Sequence, residues 1–201
     1  DKMNNIGNQY SISTDGLATA LKTSASALKT AGNDLDEAIA LTTAGNAIAQ
    51  DPASVGSGLR TISLRLAGTK EAKEELKSMS EDVDDVIATT SKLRDTIISA
   101  TKAASSDGKG FDILDSNGNY KSTYEILQGL ADLYDNIVAK DKQLGTNNLN
   151  LILETIAGKN RANIAASILQ NADMLKSVYE DVQDSEGSAA KELDAYLDSI
   201  D

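Results

Sequence analysis

No cysteine and no histidine occur in this chain. The first absence excludes disulfides, thiolate nucleophiles and sulfur-ligated metals, and it leaves the redox compartment undefined. The second removes the commonest general base, the usual triad partner and most zinc or iron ligand sets. Tryptophan is also missing, and aromatics amount to 3% of the residues, six Tyr and one Phe. A core must therefore come from Leu, Ile, Val and Ala, side chains suited to helix–helix contacts more than to a deep pocket. A single proline, Pro52, leaves long stretches free to be helical. No apolar run reaches the roughly 18 residues needed to span a bilayer, so no stable membrane anchor is expected in this segment.

What is present is length and acid. The 201 residues suffice for one substantial core or two small ones. The net charge is −12, from 19 basic and 31 acidic residues. From Asp173 to Asp201 there are nine acids against Lys176 and Lys191. Such a surface repels phosphate backbones and has no basic stripe with interleaved aromatics, so no nucleic-acid partner is expected. The opening DKMNNIGNQYS lacks the design of a signal peptide. Neither it nor the closing LDSID reads as a natural terminus, so the sequence reads as an internal fragment of a longer protein.

Caps and spacing predict an all-α protein of roughly seven to nine short-to-medium helices. Ser13–Gly16 opens a helix bearing Leu17, Leu21 and Leu28 that closes near Gly32. Asn33 is placed to cap the next, with Leu35, Ile39 and Ile48 on its apolar side and Asp34, Asp36 and Glu37 favouring its positive end. Pro52 sits at the first position of a third helix, which carries Leu59, Ile62 and Leu66 and ends at Gly68. TKEAKEELKSM reads as an exposed charged helix, and a longer one follows from about Glu81 to Ala103 with Val83, Val86, Ile87, Leu93 and Ile97 in a stripe. Ser122 and Glu125 have capping-box spacing, and the helix they open carries Leu127, Leu130, Tyr134 and Ile137. Leu149, Ile152, Leu153 and Ile156 mark another, ending at Gly158. A segment through Ile164 and Ile168 leads to a helix with Met174, Leu175, Val178, Tyr179 and Val182. Leu193, Tyr196, Leu197 and Ile200 close the chain at i, i+3, i+4 and i+7. The flexible SDGKG suggests a helical region 1–104, a connector 105–121 and a helical region 122–201, which also fit one continuous domain.

The stretch FDILDSNGNYKSTYE, residues 111–125, interrupts this pattern. Asp115, Asn117 and Asn119 have the spacing of the first three ligands of a calcium loop. Its sixth position, normally Gly, is Tyr120, and its twelfth, normally Glu, is Ile126. Turn chemistry fits better: Asn117-Gly118 suits positive φ in a tight hairpin-like turn near 111–121, with Phe111 as its anchor on the helices. Other charged groups also read as structural. Arg60 and Arg65 suit a surface or ion-paired role. Lys159, Asn160 and Arg161 suit a polar connection more than an anion site. Asp84 and Asp85 are adjacent and diverge on a helix. No catalytic, cofactor-binding or metal residue is assigned, and no enzymatic activity or cofactor is expected.

As a whole, FDILDSNGNYKSTYEILQGLADLYDNI resembles a block of tail tape-measure proteins from long, non-contractile-tailed phages and prophages. DGLATALKTSASALKTAGNDLDEAIALTTAGNAIAQDPASVGSGLRTISLRLAGT, residues 15–69, and ETIAGKNRANIAASILQN, residues 154–171, resemble the same family in the same order. The resemblance implies a structural virion component that sets tail length. Tube subunits and tail assembly proteins would be its partners, with self-association possible. It would be assembled in the bacterial host cytoplasm, reside in the virion tail, and leave the tube during DNA ejection. Two other readings stay open at this point: a calcium-regulated helical binding module using Asp115, Asn117 and Asn119, and a segment of a tail-associated lytic protein working through carboxylates alone.

Overall fold

The computed structural model describes residues 2–67, 69–79 and 90–185. Among them are eleven α-helices: α1 Lys2–Gln9, α2 Thr14–Thr30, α3 Leu35–Ala49, α4 Pro52–Ala67, α5 Lys70–Ser78, α6 Thr90–Thr101, α7 Thr123–Asp132, α8 Tyr134–Leu144, α9 Asn148–Ala157, α10 Ala162–Leu169 and α11 Ala172–Asp184. One 3-10 turn, Lys159–Arg161, joins α9 to α10. The expected all-α class holds, but the expected count of seven to nine falls short. Part of the excess comes from Leu133, where the helix opened by Ser122 breaks into α7 and α8. Its amide donates back to Leu130 and Ala131, a tightened turn that needs neither Gly nor Pro and so leaves no mark in the sequence. The expected stripe residues Val83, Val86 and Ile87, the pair Asp84-Asp85, Gly68 and the closing pattern from Leu193 to Ile200 lie outside the described residues.

One apolar cluster runs from Ile6 to Val182 and takes in residues from every helix except α5. At its centre is α3. Ala38 to Asn46 are buried without a break, because α2, α4, α10 and α11 all pack on this helix. A helix buried on every side carries no polar face, and the composition IALTTAGN meets that condition through small and β-branched residues. Thr42 and Thr43 return their hydroxyls to Ala38 O and Ile39 O, one turn back. The expected stripe was misassigned at its ends: Leu35 and Ile48 are each 57% exposed.

Two glycines set helix separations. A Cβ on Gly56 would stand 2.5 Å from Ala20 O, so α2 and α4 meet backbone to backbone. A Cβ on Gly58 would fall 2.8 Å from Ile164. The helix α5 is less exposed than its charge suggests: Ala72 and Leu76 join Ala27 and Leu64 in a satellite cluster. Arg60 holds it from outside through Glu75, 2.6 Å away.

Candidate functional site

Residues 111–125 build a turn, then a junction. Gly118 N donates to Asp115 O and Asp115 N to Asn119 O, with Gly118 at φ +82. This is a short turn followed by a left-handed glycine, a common way to reverse two antiparallel arms. The arms form one antiparallel bridge, Leu114 to Tyr120. Asn117 does not share the positive φ expected of it; among the non-glycine described residues only Gln50 does.

One oxygen of the Asp115 carboxylate is engaged by this turn. Its Oδ1 accepts from the amides of Asn117 and Asn119, each at 2.8 Å, and these amides hold the carboxyl below its usual range. No group of three or more carboxylates placed to hold a metal occurs among the described residues. Phe111 anchors the loop as expected: its ring packs over Gly129, where any Cβ would collide with it, and Lys121 Nζ lies 4.6 Å from its centroid. Arg94 clamps the neighbouring Asp112, with Nε 2.7 Å from Oδ1, and lowers its pKa to about 2.

Beyond the turn, two capping boxes interlock. At α7, Ser122 Oγ accepts from Glu125 N and Glu125 Oε2 accepts from Ser122 N. At α3 the same exchange joins Asp34 and Glu37. Ser122 Oγ then donates to Glu37 Oε1 at 2.9 Å, linking the two boxes across 85 residues of sequence. Asn33, expected as the α3 cap, leaves that role to Asp34. Its amide donates to Leu28 O and its oxygen accepts from Tyr124 N, so one side chain closes α2 and opens α7. The Tyr124 ring stacks on Tyr179 of α11 at 4.9 Å. Burial, then the neighbouring Tyr179 and Glu37, pushes the Tyr124 hydroxyl up to about 12. Burial also raises Glu37, against the hydrogen bonds from Asp34 and Ser122 that favour its charge. The tyrosine and aspartate shifts move away from neutrality. These groups are held in one protonation state by the fold.

Two structural contacts escaped the sequence reading. Arg65 is 2% exposed and donates to Thr155 O and Glu154 O at the end of α9. It is not on the surface: it meets the negative end of α9 with a buried cation. Asp141 of α8 accepts from the amides of Asn148 and Leu149, capping α9 from outside it. Cap reading looks three residues away, and this cap comes from seven and eight. Lys159 and Asn160 are exposed on the 3-10 turn, apart from the junction.

The class defined is an all-α protein whose buried and part-buried polar groups tie helix ends together. The chain matches the model of the family described as phage-related minor tail protein over residues 1–169. It belongs to that family and is a phage tail protein. No curated protein and no solved structure matches it. No described helix is long and apolar enough to cross a membrane.

Proposed function

We propose that this chain is a segment of a tail tape-measure protein, acting by assembly and without catalysis. The observation that carries the reading is order. Three stretches resembling tape-measure proteins, residues 15–69, 111–137 and 154–171, follow one another along the region matched to the minor tail family. A structural role agrees with the loop that opens the second stretch, where Asp115 Oδ1 accepts from its own turn and Asp112 is held by Arg94. Tube subunits and tail assembly proteins are the partners this reading requires, and self-association is compatible with it. A net charge of −12 suits an occupant of a tube that DNA must later traverse, because it discourages adhesion to the genome.

Deleting these residues in frame from the parent protein, and measuring tails by electron microscopy, tests the reading. As extended helix, 201 residues span about 300 Å at about 1.5 Å each. Tails shortened by about that length are the expected outcome. Tails of unchanged length would place the ruler elsewhere and make this segment a folded terminal or delivery domain.

A further inference from the structure

The chain holds one Asn-Gly pair, Asn117-Gly118, and two Asp-Gly pairs, Asp15-Gly16 and Asp107-Gly108. All three are open to the same ring closure as bare sequence. The glycine amide nitrogen attacks the preceding side-chain carbonyl carbon, and glycine has no Cβ to obstruct the approach. The fold separates them. Gly16 is buried in the first turn of α2, where a Cβ would stand 3.1 Å from Pro52. Ring closure needs ψ far from the helical value of about −42°, so Asp15 reacts only if the start of α2 unwinds. Asp107, Gly108, Asn117 and Gly118 are all exposed. Both glycines have positive φ, and a Cβ on either would meet nothing within 4 Å.

We propose that Asn117 is a site of spontaneous backbone modification and that the Asp115 side chain sets its rate. Water is the only co-reactant. Gly118 N bonds to Asn117 Cγ, the Cγ–Nδ2 bond breaks, and ammonia leaves with the proton that the amide gives up. Water then opens the succinimide ring at either carbonyl. One opening yields aspartate. The other yields isoaspartate, in which the backbone runs through Cβ and Cγ and is longer by a methylene. Asn117 leads Asp107 because its side chain reacts in its neutral form, whereas a carboxylate must first be protonated to lose water. The Lys109 amide holds the Asp107 carboxyl below its usual range and so keeps it ionised.

The turn holds Asn117 back. Gly118 N, the attacking atom, donates to Asp115 O at 3.1 Å, and Asp115 Oδ1 grips the amides of Asn117 and Asn119. Attack waits for the turn to open, which an exposed turn does at small cost. In isoaspartate the extra methylene falls between the two amides that Asp115 grips, so the grip does not re-form. The change stays local. The bond from Phe111 N to Thr101 Oγ1 and the Arg94–Asp112 pair both involve residues ahead of the insertion. The tip loosens while its anchors stay.

Incubation of the full chain at neutral pH, followed by peptide mapping with mass spectrometry, tests this. Asn117 is expected to react first, giving aspartate and isoaspartate together, then Asp107, with Asp15 intact. In urea, where the fold no longer separates them, Asp15 and Asp107 are expected to react alike. Asp115→Ala, shown folded by circular dichroism, should speed the loss of Asn117 several-fold. Asn117→Gln, which would need a larger ring, should leave position 117 unmodified over the same time. In the isoaspartate form the Asn119 amide should exchange its hydrogen faster and the Phe111 amide at its former rate. Asn117 intact after Asp107 has reacted, aspartate without isoaspartate, or Asp15 keeping pace with Asp107 in the folded chain would overturn the assignment. So would an Asn117 rate unchanged by Asp115→Ala.

Discussion

Ser122→Ala removes one oxygen from the point where two capping boxes meet. Ser122 is 6% exposed, so water does not replace the oxygen freely. Loss of the α7 cap costs about 1 kcal/mol. Loss of the bond to Glu37 adds about 1.5 kcal/mol, the low end for a bond to a charged group, because that carboxylate is only partly buried. The sum, about 2.5 kcal/mol, is read by urea denaturation followed by circular dichroism. With a slope of about 3 kcal/mol/M for a chain of this size, the midpoint should fall by nearly 1 M. A double-mutant cycle with Glu37→Ala isolates the contact, and a coupling of about 1 kcal/mol is expected. A loss within the roughly 0.5 kcal/mol of an ordinary surface change, with no coupling, would refute the view that these boxes lock α3 to α7.

Two further predictions test the loop and the helix pair. Asp112 titrates near 2 when folded, below the 3.8 of a free aspartate, because Arg94 binds its charged form. Its contribution to stability is therefore present above 3.8 and lost as pH falls from there towards 2. Asp112→Asn should be less stable than the parent at neutral pH and should converge with it in acid; parallel curves would refute the assignment. Gly56→Ala would gain about 1 kcal/mol from helix propensity on an open helix. Here the new methyl meets the Ala20 backbone, so a net loss of about 1–3 kcal/mol is expected, and a rise in melting temperature would refute the close approach of α2 and α4.

The helical character of this protein is local chemistry and could be read without coordinates. Ser13, Pro52 and the Ser122–Glu125 box occupy the helix starts assigned to them, since a cap involves residues within one turn. Asp115 and Gly118 likewise announced a turn, because the amides that satisfy the carboxylate lie two and four residues on. The metal reading was weakened at the same level, by Tyr120 and Ile126 standing where a glycine and a glutamate belong. What spacing could not decide was which face of each helix would be covered. Leu35 and Ile48 fit the apolar period of α3 and are exposed, while polar Thr42 and Asn46 are buried, because α3 is enclosed by helices that precede and follow it. Arg65 suited a surface or ion-paired role equally until α9 brought its terminal carbonyls to it. Asn33 looked like a cap until Tyr124, 91 residues later, offered its amide. Local hydrogen bonds are written in neighbouring residues. Burial, and the buried polar contacts that burial demands, arise from segments far apart in the chain, and only their packing assigns them.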